Sequence, residues 1–236
     1  MSDKVNLSQN LLMKLLTGRA SRNIQGWYLI FYLGIYFSLL IICFSTYSGS
    51  YSIFTNFISD LGMPARNPST WWLFSIAMIW NGIMFYPQYR YMYYHQARDF
   101  KIMNIIAVTL GYVASIGSII IGLFPQDFST ETSNIPHLLG VFIQFGGVYS
   151  SILFNFIIIL HKKRKKHSWP RKWSFIFYYI QAYFAVIIYY YNYELHTLFT
   201  PFGIPSVLFS VYFWEWIVMF SVIIWILGLF HITGER

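Results

Sequence analysis

Six long apolar runs constrain the fold of this chain more than any other feature of its sequence. Only 10% of its 236 residues are charged and 57% are hydrophobic, whereas soluble domains are about 25% charged. A helix needs roughly 20 apolar residues to cross the hydrocarbon core of a bilayer, and each run has about that length. The sequence therefore predicts an all-α polytopic membrane protein, a six-transmembrane-helix bundle. Its spans are expected at about Trp27–Tyr47, Trp71–Tyr89, Ile102–Phe124, Ile135–Leu160, Trp173–Tyr193 and Val207–His231.

The runs divide the chain into a leader, a membrane domain and a tail. Residues 1–24 are expected to form a cytoplasmic amphipathic leader, residues 25–232 the transmembrane domain and residues 233–236 a cytoplasmic tail. The leader segment NLSQNLLMKLL places its leucines on one helical face, which is typical of a helix lying on a membrane surface. A disordered leader with chance periodicity is the alternative. The first run is too long for the apolar region of a signal peptide, so we expect an uncleaved signal anchor.

The basic residues predict the orientation of the bundle. The chain has 16 Lys and Arg residues, and all except Arg66 precede the first run, follow the last run or lie between runs two and three or four and five. Cytoplasmic loops are enriched in Lys and Arg, so both termini are predicted to be cytoplasmic. The net charge of +8 then reflects topology and gives no reason to expect a nucleic-acid partner. The basic cluster after the fourth run could also contact anionic lipid headgroups, through Lys162, Lys163, Arg164, Lys165 and Lys166.

Most acidic residues fall on the opposite, extracytoplasmic side, or inside the last run. Glu215 lies about eight residues into that run, roughly 12 Å deep at 1.5 Å per residue. A carboxylate at that depth is costly, so it should face the bundle interior with a partner or be protonated. Asn81 and Gln144 lie at comparable depth, and His137 shares a helical face with Gln144. These residues predict a polar interior column, although polar side chains that only join helices by hydrogen bonds are the alternative.

The segment NFISDLGMPARNPS, Asn56 to Ser69, connects the first two runs on the extracytoplasmic side. The apolar spacing upstream of Gly62 predicts a short interfacial helix from about Ile53, with Gly62 as its left-handed C-terminal residue. Asn67 is then expected to cap the second span, with Pro68 in its first position. Asp60 would lie near the C-terminus of the short helix, where an acid has no favourable dipole interaction. It could pair with Arg66, or it could face His137 or His196 across the mouth of the bundle.

Two stretches resemble signatures of a known family. NFISDLGMPARNPSTWWLFSIAMIWNGIMFY and IGLFPQDFSTETSNIPHLLGVFIQFGGVY are similar to segments of the FRAG/DRAM/Sfk family and its uncharacterised bacterial and archaeal six-helix relatives. The resemblance covers about 60 residues and implies six spans and a cluster at the outer face. It implies lipid-related roles, such as lipid-anchor remodelling or membrane lipid organisation, and no single chemistry. The residues that carry the cluster here would be Ser59, Asp60, Gly62, Asn67, Pro68, Pro125 and His137.

Three kinds of function fit these features. The first is a lipid-handling or lipid-binding protein without catalysis of its own, with an outward-facing polar pocket and membrane lipids as partners. Its ligand-binding residues would be Asp60, Asn67, Asn81, His137, Gln144 and Glu215. The second is a membrane-embedded lipid hydrolase or acyl transferase that uses an outer Ser, Asp and His cluster; its candidates are Ser59, Asp60, His137, His196 and Glu215. The third is a structural subunit of a larger membrane complex.

No cofactor is predicted from the sequence. Zinc is the alternative, because two histidines and a carboxylate form a catalytic ligand set, and His137, His196 and Asp60 are the candidates. The chain has no HExxH or GxSxG motif, which gives the enzyme hypothesis no support from a known pattern. The protein is expected to be located in a membrane. In a prokaryote this would be the plasma membrane, and in a eukaryote an endomembrane is possible as well.

Overall fold

In a computed structural model of the protein, the structure describes residues 10–96, 100–127, 134–161 and 210–233, with the single positions 180, 183 and 187. This part of the chain consists of helices and connecting loops, without a strand, which confirms the all-α prediction. The predicted fifth span lies outside the described residues, apart from Ile180, Tyr183 and Ile187, which are helical. The other elements are α1 (Leu11–Leu16), α2 (Arg22–Ser45), a 3-10 helix (Ile58–Gly62), α3 (Trp71–His95), α4 (Lys101–Leu123), α5 (Ile135–His161) and α6 (Val211–Thr233).

Four of these helices are long and apolar enough to cross a membrane. They are α2, α4, the Ile135–Ile159 part of α5 and the Val211–Gly228 part of α6. They indicate a multi-pass membrane protein. Helix α3 is as long but less apolar, because it carries polar side chains that face other helices. Asn81 and Gln88 on this helix are only 5% and 0% exposed, and Gln88 accepts a 2.8 Å hydrogen bond from Gln25 of α2.

Successive helices α2 to α5 run antiparallel, and α6 runs antiparallel to α2. The end of α2 meets the start of α3, where the Cys43 Sγ lies 3.4 Å from the Thr70 carbonyl. We call this end of the bundle, which also carries the 3-10 helix, the Asp60 end. Helix α6 starts here, since Ser210 donates a 2.7 Å hydrogen bond to the Phe54 carbonyl. Helix α5 finishes at the opposite end, where Asn155 accepts a hydrogen bond from Gln96 after α3.

Small residues bring α4 and α5 into close contact. A Cβ atom on Gly117 of α4 would lie 2.3 Å from the backbone nitrogen of Gln144. A Cβ atom on Gly147 of α5 would lie 2.7 Å from the backbone nitrogen of Ala114. Inside a membrane, where lipid tails are as apolar as the side chains, such close backbone packing is a main source of helix association.

Helix α1 lies within the predicted leader, residues 1–24. Its N-cap is Asn10, whose side chain accepts a 2.9 Å hydrogen bond from the amide of Leu12. Leu11 and Leu12 are 55% and 61% exposed, while Leu7 lies outside the described residues. The loop after α1 packs against α3, where Gly18 has a φ of 73° and a Cβ would lie 2.1 Å from the Arg90 carbonyl oxygen. Only glycine fits this contact, because it combines a left-handed backbone with direct backbone approach.

Candidate functional site

Asp60 is the centre of a hydrogen-bonded cluster at the Asp60 end. Its side chain is 1% exposed and its Oδ2 forms a 2.7 Å ion pair with the Arg66 guanidinium. The same oxygen accepts hydrogen bonds from the Phe57 amide at 3.2 Å and the Asn56 side chain at 3.4 Å. The predicted alternative in which Asp60 pairs with Arg66 is therefore the one observed.

The position of Asp60 within its helix differs from the prediction. The short helix begins at Ile58 instead of about Ile53, so Asp60 lies in its first turn and not near its end. A carboxylate there satisfies a free amide and interacts favourably with the helix dipole. The structure also explains glycine at position 62 differently from the prediction. Gly62 does not have a positive φ, and a Cβ on it would lie 2.2 Å from Cδ1 of Phe74.

Glu215 of α6 reaches the same 3-10 helix. Its Oε2 accepts a 2.7 Å hydrogen bond from the Ile58 amide, the residue next to Phe57. The consecutive backbone amides of Phe57 and Ile58 thus donate hydrogen bonds to the side chains of Asp60 and Glu215. These two acidic side chains interact electrostatically. Glu215 has the partner that its depth required, and that partner is a backbone amide. Because Asp60 is local and Glu215 is 157 residues from Ile58 in sequence, the contact fixes α6 against the first loop.

Two tyrosines complete the cluster. The Tyr51 hydroxyl donates a 2.9 Å hydrogen bond to the Phe57 carbonyl, and its ring makes edge contacts with Tyr47 and Trp216. Burial raises the pKa of Tyr51, and the charge of Glu215 raises it further. Burial likewise raises the pKa of Tyr47, as does the charge of Asp60. Both phenols are therefore neutral at physiological pH.

Arg66 supplies the positive charge of the cluster and is 48% exposed at its side chain. Partial burial lowers the pKa of Arg66, but the charge of Asp60 and the hydrogen bonds with Tyr47 and Asp60 outweigh that effect and raise it overall. The guanidinium is therefore charged at physiological pH. The backbone carbonyl of Arg66 accepts a hydrogen bond from the Ser48 hydroxyl. This bond holds the Arg66 segment against the end of α2.

Asn67 has a different role from the helix cap that was predicted. The N-cap of α3 is Thr70, three residues later. Asn67 is completely buried and donates hydrogen bonds to the carbonyls of Cys43 at 3.2 Å and Leu61 at 2.9 Å. Its Oδ1 accepts a 2.9 Å hydrogen bond from Thr70. One side chain thereby connects the end of α2, the 3-10 helix and the start of α3.

The candidate catalytic residues do not form one arrangement in the described part of the chain. His137 is 2% exposed, and its Nδ1 lies 2.9 Å from the Phe124 carbonyl, which joins the start of α5 to the end of α4. Ser59 is partly buried, and no described side chain hydrogen-bonds to its hydroxyl. His196 lies outside the described residues. Within those residues, no group of three or more His, Cys, Asp and Glu side chains is placed to hold a metal ion.

Asn81 and Gln144 meet at a cavity in the middle of the bundle. Asn81 accepts a hydrogen bond from Tyr32 of α2 and donates one of 2.9 Å to Ser118 of α4, so it also joins three helices. The cavity has a volume of about 50 Å³. It lies between α2, α3, α4, α5 and α6 and is lined by Tyr36, Asn81, Phe85, Tyr89, Ala114, Gln144, Phe145, Val148, Met219, Val222 and Ile223.

The predicted polar column is thus divided into two parts. Asn81 and Gln144 line the cavity, whereas Glu215 lies one helical turn before the lining residue Met219 and bonds to the 3-10 helix. Sequence reasoning missed Tyr36 and Tyr89, because the chain contains 20 tyrosines and nothing in composition separates these two. Helical spacing offered a signal for Tyr89, which lies two steps of four residues after Asn81 on one face of α3.

The fold and these sites define a multi-pass helical membrane protein with a carboxylate–arginine cluster at one end and a cavity at its centre. The chain belongs to the family described as Protein of unknown function (DUF998), which matches residues 32–223. The matched region includes the cluster, the cavity and all of α3, α4 and α5. No curated protein and no solved structure matches the chain. The resemblance to the FRAG/DRAM/Sfk family stays a prediction.

Proposed function

We propose that this protein is a six-span membrane protein that binds part of a membrane lipid in its central cavity and has no catalysis of its own. The cavity is the observation that carries the proposal. Most of its lining is aromatic or aliphatic, with a small number of neutral polar groups among them. This combination is typical of sites for small apolar ligands, in which apolar walls provide affinity and a few polar groups fix orientation.

The size and depth of the cavity limit what it holds. Since a cavity needs roughly 10–15 Å³ of such volume to hold one water molecule, a cavity of about 50 Å³ accepts a group of a few atoms and not a whole lipid. Asn81 and Met219 lie ten and eight residues after the starts of their helices, which is roughly 12–15 Å along the axis. A ligand at this depth would come from the hydrocarbon region of the bilayer.

Charge and connectivity support the six-span topology with both termini in the cytoplasm. Lys14, Arg22, Arg90 and Lys101 belong to segments at the opposite end of the bundle, whereas Arg66 belongs to the Asp60 end. The excess of Lys and Arg places that opposite end in the cytoplasm. Helix α5 finishes at the opposite end and α6 starts at the Asp60 end, so a fifth crossing between them gives six spans in total.

The enzyme alternative receives less support from the described contacts. The Asp60 carboxylate is engaged by Arg66 and the His137 ring by the Phe124 carbonyl. Neither group is oriented by the other or directed at Ser59, as a nucleophile and its base require. These contacts favour a structural role for the cluster, which holds α6 and the first loop above the cavity.

Filling the cavity tests the proposal. Val222 lines the cavity, while Ile224, two residues later on α6, is 39% exposed on the outer surface. We expect Val222→Phe to reduce the lipid that remains bound after purification in mild detergent, measured by native mass spectrometry. Ile224→Phe is the matched control and should retain the wild-type amount. Equal retention by both folded variants would contradict lipid binding in the cavity.

A further inference from the structure

We infer that α1 binds the surface of an anionic membrane, with its leucines in the bilayer and with Lys14 and Arg19 at the phosphates of acidic phospholipids. This interaction surface lies at the opposite end of the bundle and does not depend on the central cavity. It is more than a helix resting on a membrane, because two side chains would select the class of lipid. Three features support it: an exposed apolar face, a fixed position beside the first span, and charge.

One face of α1 is apolar and exposed. Leu11, Leu12 and Leu16 are 55%, 61% and 37% exposed, although leucine is among the residues most often buried. Because an α-helix turns about 100° per residue, these leucines share one side and Lys14 lies on the other. An interfacial helix has this arrangement, since its apolar side enters the boundary between headgroups and acyl chains while its charged side stays among the headgroups.

The chain holds α1 beside the first span. The turn after α1 packs on α3, where a Cβ on Gly18 would lie 2.1 Å from the Arg90 carbonyl oxygen. Helix α1 ends at Leu16 and α2 begins at Arg22, so a short turn separates the leucines from a helix that is apolar enough to cross a membrane. Trp27 of α2 is 72% exposed, and tryptophan is enriched where a membrane meets water. The bilayer is therefore the apolar environment that lies next to the leucines.

Arg19 is placed to bind a phosphate. Its side chain is exposed, and its guanidinium lies over the ring of Tyr94, 5.7 Å from the centroid. A guanidinium that stacks on a ring keeps N–H donors at its edge, and their spacing matches a phosphate. Lys14 lies beside it, since the Arg19 amide donates a 2.8 Å hydrogen bond to the Lys14 carbonyl. Two cations thus start from adjacent backbone on the polar side of α1.

Charge selects the class of lipid. The acidic residues of the described part of the chain are Asp60, Asp127 and Glu215, which all belong to the Asp60 end, so none of them competes for Lys14 or Arg19. One cation near an anionic membrane surface strengthens binding about five-fold. Two cations therefore provide a preference of up to about 25-fold for acidic over zwitterionic phospholipids.

Fluorescence quenching of the full chain in single-copy nanodiscs tests the inference. On a Cys43→Ser background, Leu12→Cys carries an environment-sensitive fluorophore. The phosphatidylcholine disc contains a small fraction of phosphatidylglycerol or phosphatidylcholine with a nitroxide at the same acyl position. We expect the phosphatidylglycerol nitroxide to quench the fluorophore at least about five-fold more strongly, because Lys14 and Arg19 concentrate it beside α1. The same fluorophore on Ala65→Cys, at the exposed surface of the Asp60 end, is the control and should not distinguish the two nitroxide lipids.

Neutralising the two cations separates charge from apolar insertion. The double variant Lys14→Gln/Arg19→Gln should bring the two quenching efficiencies to about the same value, while quenching by the phosphatidylcholine nitroxide persists because the leucines remain in the bilayer. Lys101→Gln removes an exposed cation of the same end that lies outside α1, so it is the matched control and should keep the wild-type ratio. Equal quenching by both lipids in the wild type, or an unchanged ratio in the double variant, would overturn the selection of acidic lipids.

A second copy of the chain is the competing occupant of the leucine face. In that case the fluorophore on Leu12→Cys would be exposed to water and unquenched by either lipid in single-copy discs. It would be shielded from water only in discs that hold two copies. That result would overturn the inference, whereas strong quenching in single-copy discs supports direct contact between α1 and lipid.

Discussion

At the residue scale, the ion pair between Asp60 and Arg66 is asymmetric. Asp60 is 1% exposed at its side chain and Arg66 is 48% exposed. Removing the arginine leaves the buried Asp60 carboxylate without its cation. Removing the charge of Asp60 leaves an exposed arginine that water can solvate. The two partners should therefore contribute unequally to stability, since an unpaired buried charge costs far more than an exposed one.

The first prediction follows from this asymmetry. Arg66→Gln should destabilise the protein by roughly 1–3 kcal/mol, whereas Asp60→Asn should cost less than about 1 kcal/mol. In the second variant the Asn side chain can still accept from the Phe57 amide. Thermal unfolding of both variants in detergent, with the double variant to complete the cycle, gives the comparison. A larger loss for Asp60→Asn than for Arg66→Gln would contradict this account.

The same cluster shows what sequence can and cannot provide at this scale. The Asp60–Arg66 ion pair was one of two predicted alternatives. The other placed Asp60 opposite His137 or His196, because the sequence does not show which loops meet. The role of Asn67 was missed, since its partners Cys43 and Leu61 belong to other elements. Gly62 was interpreted by backbone conformation, whereas the observed reason is the close approach of Phe74, which only the folded chain reveals.

At the scale of elements, apolar length predicted the described spans well. The observed helices α3, α4 and α5 begin within one residue of the predicted positions. The ends of α4 and α5 also lie within one residue of the predicted ends, whereas α3 continues six residues further, because a helix can continue beyond the apolar region that periodicity detects. What the sequence did not provide was the pairing of helices, which depends on small residues. Gly117 and Gly147 allow α4 and α5 to approach closely. Nothing in the sequence distinguishes these two glycines from the others.

The second prediction compares adjacent glycines on α5. A Cβ on Gly147 would lie 2.7 Å from the backbone nitrogen of Ala114, whereas one on Gly146 would meet nothing within 4 Å. Both changes to alanine improve helix propensity by about 1 kcal/mol at most. Gly147→Ala should nevertheless destabilise the protein by roughly 1–3 kcal/mol, because α4 must move away. Gly146→Ala should be neutral or slightly stabilising.

Denaturant unfolding of the two alanine variants in the same detergent measures the difference between them. Because the substitution and the helix are the same, any general effect of alanine on α5 cancels. If both variants unfold at the wild-type denaturant concentration, the contact between α4 and α5 is looser than the structure indicates. If both are destabilised equally, the effect belongs to the helix and not to its interface with α4.

At the scale of the whole molecule, opposing ends of the bundle carry different chemistry. The Asp60 end has a carboxylate cluster with a single described cation, and the opposite end has most of the described basic residues. On the proposed topology, the positive-inside rule would place the opposite end in the cytoplasm. The proposed count of six crossings rests on the placement of the end of α5 and the start of α6 at opposite ends of the bundle. The side on which the termini lie and the number of spans are linked, because an odd number of spans would put the two termini on different sides of the membrane.

The last prediction concerns this topology, and the chain suits a cysteine-labelling experiment. Cys43 is the only cysteine and is buried, so Cys43→Ser provides an unreactive background. On it, Ala65→Cys places a thiol at an exposed position next to Arg66 without removing the ion pair, and Lys101→Cys places one at an exposed position at the start of α4. Arg236→Cys reports on the C-terminal side.

In intact cells or sealed vesicles of known orientation, a membrane-impermeant maleimide should label Ala65→Cys from outside. It should label the other two only after permeabilisation, because the cytoplasmic side carries the basic loops.

Labelling of Arg236→Cys from outside together with protection of Lys101→Cys would mean an odd number of crossings and would rule out six spans. Labelling of Lys101→Cys from outside with protection of Ala65→Cys would mean that the bundle has the opposite orientation, with the cluster of Asp60 and Arg66 facing the cytoplasm.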